Sequence, residues 1–388
     1  MLGFLLARAG VEVVVLEKHA DFLRDFRGDT IHPSTLEILN DVGLADRFLA
    51  ELPHSEVSHL QVRLPDGTRL QMDFRHLPTR FKFLAFVPQW DFLEFITAEA
   101  ARYPTFTLIR EAEVTDLLTD HDGRVNGVRF LTPSGTDEVR AVLTVGADGR
   151  TSRVREAARL ALDEASPPMD VLWFRLSRRE ADGDAIELRL QPGHFFVLIN
   201  RREYWQVAYV IPKGAYEAVR ARGLDAFRRT LADAVPELAD RAAEVTDWEQ
   251  VKLLTVRADR LRRWYRPGVL CLGDAAHAMS PIAGVGINVA IQDAVEAANL
   301  LWKPLRDGSV SVGQLARVQR RRELAVRLTQ AFQGLLQDNV LRPTVRAEER
   351  AAVPKALQIG LRVPLVRNLP ARFVALGVRR PHVRTPAQ

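Results

Sequence analysis

Apolar and polar positions along the chain fall into two kinds of block that alternate. Leu2 to Arg8 carries apolar residues at helical spacing and breaks at Gly10. Val11 to Glu17 follows as a β-branched run of the kind a buried parallel strand needs. The chain therefore begins inside an α/β unit. Pro33 to Val42 predicts a helix, with Ser34 or Thr35 near its start and Gly43 at its end. The period then changes to two. His59 to Leu64, the turn Pro65-Asp66-Gly67 and Arg69 to Phe74 predict an antiparallel hairpin.

Helix and strand signals return from Gln89 to Leu160, with hairpin turns around Asp122-Gly123 and Pro133-Ser134-Gly135. A second antiparallel block follows in Val171–Leu176, Ile186–Leu190, His194–Asn200, Tyr204–Ile211 and Val251–Val256. Val269 to Leu301 reads as one more buried strand, a Gly-rich loop and an apolar helix. The remainder is helical, with amphipathic spacing at Leu315, Val318, Leu324, Leu328, Phe332 and Leu335. Interleaved blocks of this kind predict one α/β domain interrupted twice by a smaller antiparallel sheet, with a helical C-terminal part.

Composition narrows the class. The 388 residues, 47% hydrophobic and 27% charged, exclude a disordered chain and predict about two or three structural units. One cysteine, Cys271, excludes an internal disulfide and any zinc site built on two thiolates, and points to a reducing cytoplasm. The balance of 54 basic against 49 acidic residues leaves +5, concentrated in arginines beyond Gly313. No stretch interleaves these with aromatics as a nucleic-acid groove does. The basic C-terminal part is a candidate for weak contact with an anionic membrane surface; a solvated helix face is the alternative. Met1 to Ala7 lacks the basic leader of a signal peptide, and no run approaches the roughly 18 apolar residues of a membrane span.

Three segments carry candidate chemistry. The strand ending at Glu17 suits the second half of a dinucleotide-binding unit, where an acidic residue accepts from ribose hydroxyls. In Val145-Gly146-Ala147-Asp148-Gly149-Arg150-Thr151-Ser152-Arg153-Val154-Arg155, a strand enters an Asp-Gly turn and Ser152 can cap the next helix. In Val269 to Asn288, the strand ends at Gly273 and projects Asp274 from its carboxyl end. Pro281, Gly284 and Gly286 then bring bare backbone to a helix N-terminus, which favours anions and flat rings.

Together and in this order, the three segments resemble the para-hydroxybenzoate hydroxylase family of FAD-dependent, single-component (class A) aromatic monooxygenases. Arg27 in Phe26-Arg27-Gly28-Asp29 and Gln89 in Pro88-Gln89-Trp90-Asp91 fit positions where the family contacts its cofactor. The resemblance implies a Rossmann-like, glutathione-reductase-type FAD domain at 1–52, 79–162 and 256–312. It implies a substrate-binding antiparallel sheet at 53–78 and 163–255, and a helical region at 313–388.

It also implies roles. Glu17 holds the adenosine ribose and Val114 offers backbone to the adenine. Asp148 and Arg155 serve the pyrophosphate region and NAD(P)H, and Asp274, after Gly273, binds FAD through its ribityl and pyrophosphate portion. Gly284, Val285, Gly286, Ile287 and Asn288 face the flavin. Pro281 over the flavin and His277 are the catalytic candidates, His277 reading more as hydrogen-bonding support. Trp173, Arg175, Phe196, Gln206 and Tyr209 are candidate substrate-lining residues, and no metal site is expected.

The reaction implied is NAD(P)H reduction of FAD, then oxygen transfer from a flavin C4a-hydroperoxide to a phenolic or polyketide-like ring by a monomer or homodimer. Alternatives on the same fold are a quinone-precursor hydroxylase, a prenyl-lipid reductase or a halogenase, although a halogenase's tryptophan motif and lysine are not found. A flavin-free relic is the remaining alternative. The family opens with a strand and a G-x-G-x-x-G turn, whereas this sequence starts at Met1-Leu2-Gly3, after that turn. The expectation is that the chain as written folds poorly or binds FAD weakly, and that an upstream-extended form binds FAD firmly. A start assigned too far downstream is favoured over a real loss, because the later motifs are intact.

Overall fold

Helix Leu2–Arg8 lies so close to the strand that follows that a Cβ on Gly3 would meet Val15 Cγ2 at 3.0 Å and the Phe106 ring at 3.1 Å. Glycine allows that approach without displacing either side chain. In this computed structural model, which describes residues 1–23, 30–63, 69–182, 186–191, 193–345 and 364–387, the strand Val13–Leu16 pairs in parallel with Phe106–Ile109. A second parallel pair joins Thr144–Gly146 to Val269–Cys271, extended antiparallel by Tyr265–Arg266. Among the described residues the two pairs do not hydrogen-bond to each other.

Two apolar clusters hold this unit. Phe4 and Leu5 pack with Ile38, Phe48, Phe92, Ile96 and Val295, and Trp264 and Leu270 pack with Val289, Leu315 and Val318. Each such side chain contributes roughly 1.5–3 kcal/mol by leaving water. The helix expected from Pro33 runs Pro33–Asp41; its N-cap is His32, with Pro33 in the first turn, and neither Ser34 nor Thr35 caps it. Proline suits that position because its missing N–H would have had no helical partner. The segments around Asp122 and Ser134 form an antiparallel meander of Glu113–Thr119, Val125–Thr132 and Gly135–Arg140.

The alternating blocks assemble into one seven-stranded sheet in the order Lys252–Leu254, Met169–Ser177, Tyr204–Pro212, His194–Asn200, Ile186–Gln191, His59–Arg63 and Arg69–Asp73. The expectation of a wholly antiparallel sheet needs one correction, because Ile186–Arg189 pairs in parallel with Leu60–Arg63. The hairpin at 59–73 enters at the sheet's edge from a distant point in the chain, so no tight turn dictates its direction.

The C-terminal part is helical over Val312–Leu336 and Pro364–Leu376. Ser311 and Gln314 close the first helix with a reciprocal capping box. The last residues depart from the helical expectation, because 380–387 run without helix back over the first helix. Arg8 Nη1 donates to the Thr385 carbonyl at 3.0 Å and Asn299 Nδ2 to the His382 carbonyl at 2.8 Å, so this strap ties the end of the chain to its beginning.

Several arginines of the basic run are occupied. Arg322 is buried against Asp293, Arg342 pairs with Asp338, and Arg327 with Glu323. No described helix is long and apolar enough to cross a membrane.

Candidate flavin and substrate site

A single cavity of about 2400 Å³ runs between the α/β unit and the large sheet. That exceeds the roughly 300–1,000 Å³ of ordinary small-molecule pockets, and it has room for a dinucleotide and a second ligand. Its walls include Glu17 and Lys18, Gln89, Val114, the segment Ala147–Thr151, Gly273 and Asp274, the loop Ser280–Gly284, and Gly286 and Ile287. Segments far apart in sequence are thereby brought together. Arg27 lies outside the described residues.

Glu17 follows its strand directly, and its Oε1 accepts from the His19 N–H at 2.9 Å. Asp148 has a second task, accepting from Ser152 Oγ and from the Val154 N–H at 3.1 Å. Ser152 in turn accepts from the Arg155 N–H at 3.0 Å, so the Asp-Gly turn and the helix Arg153–Ala157 stabilise one another. Arg155 does not line the cavity. Its guanidinium donates to the Ala275 carbonyl at 3.1 Å and to the Arg150 carbonyl at 2.6 Å, clamping the two motif loops from behind. Two arginines of this segment border the cavity instead, Arg153 and Arg150, and Arg150 Nε lies 3.2 Å from Asp274 Oδ2. Sequence reading did not single it out.

The loop from Pro281 to Gly286 is built on left-handed backbone. Ala283 (φ 62°) and Gly284 (φ 61°) adopt it in succession, and a Cβ on Gly284 would approach Thr30 Oγ1 to 3.0 Å. An alanine held there carries strain of about 1–2 kcal/mol. Asn288 holds the loop: its Oδ1 accepts from the His32 N–H (2.9 Å) and Thr35 Oγ1 (2.8 Å), and its Nδ2 donates to the Thr30 (2.9 Å) and Gly284 (3.1 Å) carbonyls.

Of the five loop residues expected at the flavin, Gly284, Gly286 and Ile287 line the cavity, whereas Val285 and Asn288 are buried behind it. A Cβ on Gly286 would meet nothing within 4 Å, so bare backbone faces the cavity at the start of helix Gly286–Arg306. The first N–H groups of that helix have no intrahelical partner. Donors facing open space at a positive helix end fit the electron-rich edge of an isoalloxazine, and the cavity's length fits the rest of FAD.

Pro281 lines the cavity. His277 does not: it is 1% exposed, its Nε2 lies 2.6 Å from Asp293 Oδ2, and its ring packs 4.9 Å from Trp264. This corrects its place among the catalytic candidates, since a buried imidazole tied to a carboxylate touches no reacting atom.

The opposite wall is the large sheet. Trp173, Ala208, Val197, Leu188 and Val62 stand opposite one another on five adjacent strands, and all five line the cavity. Gln206 lines it too, accepting from Arg201 Nε at 2.7 Å at the rim. Phe196 and Tyr209 belong to the other face, because strand side chains alternate. Their rings stack at 4.4 Å beneath Phe227, so the expectation that they line the cavity is corrected. Arg175 shares the face of Gln206 but lies outside the cavity, over the Tyr204 ring. The C-terminal helix adds Pro370 and Val374 to the lining, which helical periodicity did not reveal.

Fold and site define a flavoprotein of the oxidoreductase class. The family described as FAD binding domain matches residues 1–331. The 6-methylpretetramide 4-monooxygenase of Streptomyces rimosus is 31% identical over 99% of this chain and 91% of its own length. Two solved structures share the fold. The anhydrotetracycline hydroxylase OxyS from Streptomyces rimosus has a TM-score of 0.75 at 24% identity, covering 98% of this chain and 74% of its own. The p-nitrophenol 4-monooxygenase PnpA from Pseudomonas putida DLL-E4 has 0.75 at 20%, covering 97% and 95%. The chain belongs to the para-hydroxybenzoate hydroxylase-like family of FAD-dependent aromatic monooxygenases. FAD is its cofactor; NAD(P)H is the co-substrate typical of the family, and monooxygenase chemistry implies O2.

Proposed function

We propose that the protein hydroxylates a neutral, multi-ring phenolic substrate of polyketide type, held between the flavin loop and the large sheet. The observation that carries this reading is the unbroken apolar row Trp173–Ala208–Val197–Leu188–Val62, joined by Val171, Val210 and Phe195 on the same face. A flat apolar wall four to five strands wide, at about 4.8 Å per strand, suits fused rings better than a single ring. The Arg201–Gln206 pair at its rim offers donors to a phenolic or carbonyl oxygen. That the similar Streptomyces rimosus enzyme is named for a pretetramide supports the same substrate class.

Bound FAD supplies the redox and oxygen-transfer chemistry. The protein's own part is to orient and to exclude water. Gly284, Gly286 and Ile287 bring main chain against the flavin, and the helix terminus behind them favours negative charge there. Glu17, Val114 and Gln89 take the adenosine end, and Asp274 the ribityl portion. Pro281 and Ile282 narrow the space between flavin loop and sheet, keeping water from the reacting ring. A cytoplasmic location accords with the single reduced cysteine.

The test is NADH and NADPH oxidation by the flavin-loaded enzyme with single-ring and fused-ring phenols under ¹⁸O2. Incorporation of one labelled oxygen into fused-ring phenols in preference to single-ring ones is expected. Oxidation that yields hydrogen peroxide alone across the panel would refute the reading.

A further inference from the structure

Three arginines lie in the segment 148–155, and the fold gives each a different task. Arg155 is spent on backbone carbonyls. Arg153 is 64% exposed and pairs with Glu156. Arg153 and Arg150 both border the cavity, but of the two only Arg150 lies beside Asp274 and is largely shielded, with side-chain exposures of 21% for Arg150 and 35% for Asp274. It uses only Nε in that contact, and among the described residues neither of its terminal nitrogens has a protein partner. The Arg155 clamp on its carbonyl fixes where its side chain starts.

We infer that Arg150 is the cation that receives the FAD pyrophosphate, its planar fork turned to the phosphate oxygens while its Nε stays on Asp274. This rests on the assignment of the cavity to FAD and adds a residue to it. A carboxylate set to bind the ribityl chain stands next to a diphosphate of like charge, and the two repel each other unless a cation lies between them. Arg150 is placed to do both jobs at once, because a guanidinium offers five N–H donors in one plane and binds phosphate bidentately. The Gly149 turn (φ 81°) that precedes it brings the backbone of the same loop to the cavity.

The test compares FAD with riboflavin, which keeps the isoalloxazine and ribityl chain and lacks the phosphates. Binding to the full chain is followed by quenching of flavin fluorescence, in wild type, Arg150→Gln and Arg150→Lys, with thermal unfolding as the folding control. Arg150→Gln is expected to weaken FAD about 10- to 100-fold while leaving riboflavin within about two-fold. The salt dependence of FAD binding should become shallower, and Arg150→Lys should recover part of the loss. Equal weakening of both flavins would show that Arg150 acts only through Asp274, and no change in either would show that it does not touch the cofactor. Both results overturn the inference. Failure of wild type to bind either flavin would overturn the cofactor seat itself.

Discussion

His277 Nε2 and Asp293 Oδ2 lie 2.6 Å apart with both side chains withdrawn from solvent, and Arg322 Nε reaches the other carboxylate oxygen at 2.8 Å. Asp293 Oδ2 also accepts from the Gly273 N–H at 3.3 Å, next to the cavity-lining carboxylate Asp274. Burial pushes the Asp293 carboxyl upward, but His277 and Arg322 outweigh it and hold its pKa below the usual carboxylate value. Asp293→Asn leaves the Arg322 charge buried without a counter-ion, which costs on the order of 3–5 kcal/mol. The urea midpoint should fall accordingly, and the double variant Asp293→Leu/Arg322→Met should be more stable than Asp293→Asn. An unchanged midpoint in the single variant would show that the cluster contributes little.

Asn288 joins the flavin loop to the strand and helix around His32 through four side-chain hydrogen bonds. Asn288→Ala leaves the buried N–H of His32 and the half-buried carbonyls of Thr30 and Gly284 without those partners. A loss on the order of 3 kcal/mol in stability is expected, since each unsatisfied group costs roughly 1–3 kcal/mol. The loop then loses its anchor, so FAD should dissociate faster in stopped-flow dilution. Asn288→Asp should also be impaired, because a carboxylate accepts but cannot donate to the two carbonyls.

His32 is fully buried, its Nδ1–H donating to the Val374 carbonyl at 2.8 Å. Burial lowers its pKa to about 4, against the favourable pull of the Val374 and Ala283 carbonyls. Between about pH 6.5 and 4 the unfolded chain therefore binds a proton that the folded chain refuses. Stability from this group is full above pH 6.5 and is lost as the pH falls towards 4, by up to about 3 kcal/mol. His194, also lowered by burial, adds in the same direction. Urea midpoints measured from pH 7.5 to 4.5 should decline more steeply in wild type than in His32→Gln. Parallel profiles would show that His32 carries no such coupling.

Cys271 sits in the core strand Val269–Cys271 with no exposed surface, and burial pushes its thiol up to about 12. A thiol reagent at pH 8 should modify none of it in the folded protein and the single equivalent after denaturation. Its labelling rate then reports opening of the parallel pair Thr144–Gly146 and Val269–Cys271. Rapid native labelling would contradict that packing.

Much of the site was legible in the primary structure because its chemistry is local. Gly149, Gly273 and Gly284 each stand at left-handed backbone that favours one residue type, and short segments carry that need visibly. The large sheet was legible as strands but not as faces. Tyr204–Pro212 is buried on both sides, one against Phe227 and its neighbours and the other against the cavity, so no polar alternation marked which face was which. Trp173 and Gln206 were therefore expected beside Phe196 and Tyr209, although a strand's period of two separates them.

Local pattern thus set out the α/β and sheet blocks, since periodicity and turn chemistry act over a few residues, and the resemblance of three short motifs pointed to the family that the comparisons show. Tertiary structure decided which of Arg150 and Arg155 meets the cavity, which sheet face lines it, and that His277 is tied to Asp293 behind the wall. It also brought the strap at Thr385 back to Arg8, closing the chain upon itself. These outcomes depend on which distant carbonyl, carboxylate or ring each side chain meets after folding. A guanidinium six residues after Gly149 and one directly after it look alike in sequence; only the packed loops around them make one a clamp and leave the other a free fork.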